Sequence, residues 1–587
     1  IGHHVIKKRK QTTHQTKQKP TTCMAVASMM DKLCIFLMIL GVLQAHVFES
    51  QLERDIEMFI NVTMSCRQVP GLTLAVVSGN QSWTKGFGMA DIDTERQVNE
   101  HTLFNIGSIT KGFTATLLAA LISGTQNEIT WNSKVSEILE GFSFPDTVRT
   151  TMTTLRDILS HRTGLSGLDY GMISGYPPEL TRAEMTRRLQ FVPEVKSFRD
   201  DFYYNNIMYM LAGHVAEILG KDSWENLTKT KLLQPLNMTH TTFLEKPSQV
   251  VADSIAKPYA LKNGQLINGT ESLYTIHPSE SAGAILSNAE DMAKFMRFLL
   301  QKGRAHSGRE IIEEKLLSEM FGTFNHLSGS IEERYNLRKP TFPVDEVQVG
   351  YGYGWITGSY RGYRKVWHSG GLFAYISLLW VYPDMGIGIF ASVNGPTVTN
   401  LAADALRTIF FYISDILLGE EPWLNATTAC SFPGKWKNST VRSVSNDDLH
   451  HPFDVSLDRY VGNYGSHVFP NVRITRDENL LRFQCNRILG ILHPTNKTNK
   501  FKLEVTKPWE IVLSNRNSNN ETTMFPVDFD VNETSVTGFN WTIDAPIPFF
   551  SDWQFNNQIP VTSSKSKLRH VNSITILCLI YLGMILI

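Results

Sequence analysis

Apolar positions change period along the chain and divide it into segments. Gly71-Leu72-Thr73-Leu74-Ala75-Val76-Val77 is a β-rich run, Trp83–Ala90 is a second, and Ser78-Gly79-Asn80 between them has the residues of a hairpin turn. After Lys111, the residues Phe113, Leu117, Ala120 and Leu121 recur at helical spacing and predict an amphipathic helix. From about Trp131 to Leu300 the pattern is mostly helical. Leu155–His161 runs to a stop at Thr163-Gly164-Leu165, and Asn288-Ala289-Glu290-Asp291 opens a helix that continues to Leu300. Strands return over Lys365–Leu372, Tyr375–Val381 and Gly386–Val393, consecutive and antiparallel, with Pro383-Asp384 at the turn. A helix with Leu406, Ile409, Phe410, Ile413, Ile416 and Leu417 on one face is expected to cover the sheet. Strands therefore flank a helical middle, which predicts an α+β domain over 46–419: an antiparallel sheet flanked by helices, plus a helical subdomain.

A polar linker with Pro422 and Pro433 is expected over 420–453. Beyond it short alternating runs recur at Val472–Ile474, Leu481–Phe483, Phe501–Val505, Glu510–Leu513, Met524–Phe529 and Val536–Phe539. They predict a small all-β barrel over 454–560.

The chain of 587 residues is long enough for two to four domains. Its 56 basic and 56 acidic residues balance, which gives no general argument for a nucleic-acid partner. The ends differ from the middle. Residues 1–23 are basic and polar and are read as a non-native or disordered leader. Residues 24–45 have the pattern of a secretory signal: Lys32, the apolar run Leu33–Leu43, then Gln44-Ala45 as a cleavage site. In 561–587 small Ser563 and Ser564, a polar spacer and the apolar tail Ile574–Ile587 have the form of a GPI-attachment signal, with a short membrane anchor as the alternative. Either would place the protein at the outer leaflet of a membrane. Without the anchor it would be secreted. N-x-S/T sequons begin at Asn61, Asn80, Asn226, Asn237, Asn268, Asn425, Asn438, Asn496, Asn520, Asn532 and Asn540, in keeping with a glycosylated extracellular protein. Outside the two end segments three cysteines remain, Cys66, Cys430 and Cys485, which suggests one disulfide of undetermined pairing and one free thiol.

The candidate chemistry begins at Ser108. It follows Gly107 and opens the Phe113 helix, with Lys111 one turn on along the same face. A hydroxyl becomes a useful nucleophile when a base takes its proton, and a lysine whose pKa is lowered by burial can be that base. A serine N-cap followed by a solvated lysine has the same spelling. Two other S-x-x-K strings, Ser82/Lys85 and Ser564/Lys567, lie in a strand-like run and a polar spacer. Tyr204 and Asn206 fall on a loop before helical spacing begins near Met208, and a tyrosine of depressed pKa could share a proton with Lys111. His368, followed by Ser369, Gly370 and Gly371, lies on a strand. No zinc-type ligand spacing is present, so neither metal nor cofactor is expected.

Taken in order, Ser108-x-x-Lys111, Tyr204-x-Asn206 and His368-Ser369-Gly370 resemble the three boxes of the serine β-lactamase-like family, of the penicillin-binding protein and class C β-lactamase type. Thr163-Gly164-Leu165, Ala282-Gly283 and Tyr351-Gly352-Tyr353-Gly354-Trp355 add to the resemblance, which covers about Leu52 to Gly419. Leu457–Tyr464 is similar to the start of the lipocalin-like module that follows such domains. The resemblance implies a β-lactamase/transpeptidase-like domain and a serine acyl hydrolase. Ser108 would form an acyl-enzyme, with Lys111 and Tyr204 as coupled base. Asn206 would bind the substrate amide, and Ser108 and Gly371 N–H would form the oxyanion hole. His368 and Ser369 would line the substrate cleft. The sequence departs from the family at Asn205, where a serine hydroxyl is usual, and at His368, where β-lactamases keep lysine. A largely uncharged histidine should bind a β-lactam carboxylate weakly, so an esterase or peptidase acting on a small ester, amide or peptide is expected. The family also has secreted animal members, among them a mollusc shell-matrix protein, and a non-catalytic extracellular matrix or binding role is the alternative.

Overall fold

The computed structural model describes residues 51–551 and 555, apart from 126–127, 245–252, 263, 270–274, 328–341, 397–400, 435–455, 507–523, 534 and 544. The segments expected to be a leader (1–23), a secretory signal (24–45) and a C-terminal anchor signal (561–587) lie outside the described residues. So do the strand expected at Glu510–Leu513, the sequons at Asn438 and Asn520, and the string at Ser564. The chain divides into two compact units, 1–60 and 61–587. Of the first only 51–60 are described, and they are helical. Every element named below belongs to the second.

Strands β1 (Gly71–Ser78), β2 (Gln81–Asp91), β3 (Arg96–Gln97), β4 (Phe104–Asn105), β5 (Thr242–Phe243), β6 (Tyr259–Lys262), β7 (Gln265–Asn268), β8 (Ile285–Ser287) and β9 (Asn325–His326) come first. They are followed by β10 (Glu346–Tyr351), β11 (Ile356–Tyr360), β12 (Tyr363–Leu372), β13 (Tyr375–Tyr382) and β14 (Ile387–Val393). The main sheet has nine strands in the order β3-β2-β1-β14-β13-β12-β11-β10-β9, and β1 pairs antiparallel with β14 from Leu72↔Val393 to Ser78↔Ile387. The sheet is thus closed between the two ends of the domain, as the strand pattern implied. Strand faces alternate residue by residue. On β14, Gly388 faces Met296, whereas the face shared by Ile389 and its partner Trp380 meets Phe410. Both faces are therefore covered, which is why β14 is apolar throughout except at Ser392.

The helices that shape the site are α1 (Thr110–Ser123), α2 (Leu155–Leu159), α3 (Asp169–Ser174), α4 (Asn206–Gly220), α5 (Glu280–Gly283), α6 (Ala289–Leu300) and α7 (Leu401–Leu418). The sequence suggested an amphipathic α1, but the helix is buried on nearly all sides. Phe113 stacks on Phe295 at 3.8 Å, and a Cβ on Gly112 would meet the Trp355 ring at 2.7 Å. The segment from 131 to 300 is not wholly helical, because β5 to β8 lie within it. A small sheet, β4-β8-β5, is formed by two- and three-residue strands too short to leave a period in the sequence. The expected linker is partly packed structure. Residues 426–431 form a helix, Cys66 is bonded to Cys430, and Phe432 is buried with its ring 5.9 Å from Phe411.

The C-terminal region is an eight-stranded antiparallel sheet in sequential order: β15 (Gly462–Tyr464), β16 (Val472–Asp477), β17 (Leu480–Cys485), β18 (Ile488–Pro494), β19 (Lys500–Thr506), β20 (Met524–Val531), β21 (Val536–Thr542) and β22 (Pro546–Phe550). Alternation such as exposed-buried along Leu480–Cys485 turns one face inward. Phe483, Phe501, Phe539, Trp541 and Phe549 fill the interior. Reciprocal hydrogen bonds between Gly465 and Phe550 at 3.0 and 2.8 Å nearly close the barrel. Pro546 and Pro548 lie in β22, the last strand of the sheet, where missing N–H donors are tolerated.

Candidate active site

Ser108 is the middle residue of a single 3₁₀ turn, Gly107–Ile109, just before α1. The turn is forced into place from two sides. Gly107 has φ +51°, and its amide donates to Asn105 Oδ1 at 2.8 Å, while Asn105 Nδ2 donates to Gly283 O at 3.1 Å. On the other side the turn abuts β12. A Cβ on Gly370 would lie 1.9 Å from Ile106 O, and one on Gly107 would lie 2.4 Å from Gly371 N. Strand β11 pairs only with Tyr363–Trp367, so beyond Trp367 that edge of β12 meets the nucleophile turn rather than a strand.

Lys111 is fully buried, and its Nζ donates to Ser108 Oγ at 2.9 Å, Asn206 Oδ1 at 2.6 Å and Ala282 O at 2.9 Å. Burial lowers its pKa to about 7 against the opposing pull of the Asp169 carboxylate. Tyr204 lies beside this pair: Lys111 Nζ sits 4.9 Å from the centre of its ring, and the Ser108 hydroxyl is near enough to the phenol to favour its ionised form slightly. The depressed phenol pKa expected for Tyr204 does not occur. Burial among the rings of His161 and Tyr351 pushes it up, because a phenolate there would lose its solvation. The titrating group at neutral pH is the amine.

Asn206 is the first residue of α4 rather than a loop residue, since the helix starts two residues earlier than its apolar spacing shows. The cause is Asn205, whose Oδ1 caps the helix at Met208 N while its Nδ2 donates to Leu165 O at 2.7 Å. Asn205 is therefore a buried structural amide. Asn206 Nδ2 donates to Asp169 Oδ1 at 2.9 Å, which chains Asp169, Asn206, Lys111 and Ser108 into one network.

His368 lies at the back of this group, its ring 6.3 Å from that of Tyr204. Its Nδ1 donates to Ser369 O at 2.5 Å, so in the neutral ring Nε2 accepts from Tyr351 OH at 2.8 Å. Burial, reinforced by the Lys111 charge, lowers its pKa to about 3. It is neutral, and both nitrogens are engaged by the protein. Ser369 and Gly371 are exposed on the stretch of β12 that runs beside the Ser108 turn.

Four participants had no role assigned from the sequence: Asp169, which was not singled out at all, and the Ala282 carbonyl, Tyr351 and His161, which stood there only as members of motif stretches. His161 is buried, its Nδ1 accepts from Asn205 N at 3.1 Å, and its ring lies 4.5 Å from that of Tyr204. The string Leu159-Ser160-His161 contained a signal for it, since a histidine that ends a helix beside Thr163-Gly164 stands at a turn. Asp169 carried no such signal.

A serine on a tight turn between an antiparallel sheet and a helical lobe, with a buried amine one helical turn away, is the arrangement of the β-lactamase/transpeptidase fold. The Beta-lactamase family model matches residues 56–411, more than half of the chain, and the protein belongs to that family. Unguisins hydrolase ungD of Aspergillus violaceofuscus is 27% identical over 362 residues, 60% of this chain and 63% of that protein. The chain thus spans less than two thirds of that relative's length. Gigasin-6 of Magallana gigas is 29% identical over 246 residues, 41% of this chain and 80% of its own. Among solved structures, the octameric penicillin-binding protein homologue from Pyrococcus abyssi superposes with a TM-score of 0.51 at 19% identity, covering 84% of this chain and 99% of that one. This likeness is one of fold.

Proposed function

We propose that the protein is a serine acyl hydrolase in which Ser108 attacks a substrate carbonyl and Lys111 is the base. The observation that carries this reading is the 2.9 Å approach of Lys111 Nζ to Ser108 Oγ, with the amine buried and its pKa near 7. In its neutral form the amine lone pair takes the hydroxyl proton as Oγ adds to the carbonyl. The ammonium so formed has acceptors waiting at Asn206 Oδ1 and Ala282 O. Tyr204, protonated and in contact with Ser108, passes a proton toward the leaving group and is reprotonated from Lys111. The N–H groups of Ser108 and Gly371 receive the oxyanion, where loss of one donor typically costs about a hundredfold or more in rate. Water then releases the acyl group by the reverse relay.

The substrate is a small ester, amide or peptide rather than a β-lactam. What supports this is that His368 is uncharged and has both nitrogens occupied, which leaves it no charge or free donor for a β-lactam carboxylate. The kinship with a protein named as a hydrolase of unguisins is in keeping with amide or ester cleavage. An extracellular, glycosylated setting at a membrane's outer leaflet is part of the same proposal. It is supported by the Cys66–Cys430 disulfide and by the exposure of Asn61, Asn80, Asn226, Asn237, Asn268, Asn425, Asn496 and Asn532, with Asn540 half-buried. Among the described residues no helix is long and apolar enough to cross a membrane.

The test is covalent capture. A fluorophosphonate probe should label Ser108, shown by peptide mapping, and Ser108→Ala should abolish the label. If no fluorophosphonate or penicillin-type probe acylates the protein, the fold serves a matrix or binding role instead. Rapid turnover of penicillins would overturn the substrate assignment.

A further inference from the structure

The three strands of the small sheet each end, on one edge, beside a side chain that can ligate a metal. His101 precedes β4 by three residues, His240 precedes β5 by two, and Glu290 follows β8 by three. Because β4 and β5 both run antiparallel to β8, the starts of the first two lie against the end of the third. Side chains far apart in sequence are thereby gathered, and their ligand atoms all lie within 4.8 Å of one another. The imidazoles stack with centroids 4.9 Å apart, and His101 Nδ1 stands 3.1 Å from Glu290 Oε2. Two ligands on a tetrahedral Zn²⁺, with bonds of about 2.0–2.1 Å, are about 3.3 Å apart. This pair is therefore already at ligating separation, and the exposed His240 has only to close on it.

The scaffold beneath is fixed, as a metal site requires. Buried Asp291 accepts at Oδ2 from His240 N at 2.9 Å and Thr241 N at 2.8 Å. Asn288 caps α6 at Asp291 N, and its Nδ2 reaches His101 O at 3.4 Å. Lys294 Nζ holds the other Glu290 oxygen, Oε1, at 3.1 Å and so leaves Oε2 turned toward His101. Two imidazoles and one carboxylate suit Zn²⁺ and similar transition-metal ions and not Ca²⁺ or Mg²⁺, which take oxygen ligands.

We infer that His101, His240 and Glu290 form a transition-metal site of the Zn²⁺ type that fastens the three strands together at the surface. Its role is structural. Strand β4 carries Asn105, which fixes the Gly107 amide, so the site secures from outside the strand that leads into the Ser108 turn. No ligand spacing announces it in the sequence, because the ligands come from three separate elements.

Tag-free full-length protein, stripped with EDTA, is titrated with ZnCl₂ and in parallel with CaCl₂ by calorimetry. One equivalent of Zn²⁺ should bind saturably and Ca²⁺ should not. His240→Ala and Glu290→Gln should each weaken binding at least tenfold, with unchanged circular dichroism. The melting temperature of the unsubstituted protein should rise with Zn²⁺ and those of the variants should not. Absence of saturable Zn²⁺ binding, or binding undiminished in either variant, overturns the assignment.

Discussion

Replacing Asp169 by Asn should move the pH at which Ser108 becomes reactive. Asp169 Oδ1 accepts from Asn206 Nδ2 at 2.9 Å, and Asn206 Oδ1 accepts from Lys111 Nζ at 2.6 Å, so one amide separates carboxylate from amine. Across that bridge the charges are roughly 7 Å apart, which at an effective dielectric of about 20 is worth about 2 kcal/mol. Asp169 is only half-buried, and solvent reduces this to about 1.4 kcal/mol, or about one pKa unit. The carboxylate favours the ammonium, so its removal lowers the Lys111 pKa below the present value of about 7. At pH 6 the neutral fraction of the amine should rise from about a tenth to about a half. Acylation at pH 6 should therefore gain about fivefold relative to its own high-pH plateau. Other groups around the amine do not titrate in this window. Burial holds Tyr204 far above it, and holds His161 and His368, the latter at about 3, far below. The assay is the rate of fluorophosphonate capture, or the burst from a p-nitrophenyl ester, from pH 5 to 9. A midpoint in Asp169→Asn that stays in place or moves upward refutes Lys111 as the base. A titration near pH 7 that survives in Lys111→Met refutes it equally.

Gly370→Ala should cost about 3 kcal/mol or more, because the new methyl group meets Ile106 O at 1.9 Å and Ser377 Oγ at 2.3 Å, both fixed by their own hydrogen bond. A melting temperature equal to that of the parent would show that the turn and β12 are not in contact. Cys430→Ser should cost about 2–4 kcal/mol, since Cys66–Cys430 closes a loop spanning a sequence separation of 364. Denaturant titration measures it, and an unchanged midpoint would mean the bond is not formed. Cys485 should resist thiol reagents in the native protein, because it is buried and burial pushes its pKa up to about 12. Peptide mapping should find it alkylated only after denaturation, and rapid native labelling would contradict its place inside the barrel.

The parts of the site that were legible in the sequence are those whose neighbours are local. Ser108 and Lys111 are one helical turn apart, so their meeting follows from backbone geometry. The long central strands of the main sheet announced themselves as β-rich apolar runs, and most of the barrel by alternation. Asp169 and the Ala282 carbonyl reach Lys111 only through the folding of distant loops, and no period marks them. The pKa of Tyr204 could not be read either, because its direction depends on what surrounds the ring, and the rings of His161 and Tyr351 come from other segments. Strand β22 was missed because Pro546 and Pro548 argue locally against a strand, an objection that its place at the end of the sheet removes.

The barrel bears on the same network. Helix α3 begins at Asp169, and the next residue, Tyr170, packs against Phe525 at 5.0 Å and Trp541 at 6.0 Å, both from barrel strands. The rest of the segment is held from the same side. Tyr176 OH donates to Val468 O at 2.7 Å, Arg487 Nε donates to Ser174 O at 3.1 Å, and Asn486 Nδ2 donates to Gly175 O at 2.7 Å. A six-residue helix has too few internal hydrogen bonds to hold its own position, so these contacts fix where Asp169 stands. Asp169 in turn orients Asn206 and raises the Lys111 pKa against the effect of burial. The C-terminal domain is thus part of the physical environment of the base, although none of its side chains touches Ser108 or Lys111 among the described contacts.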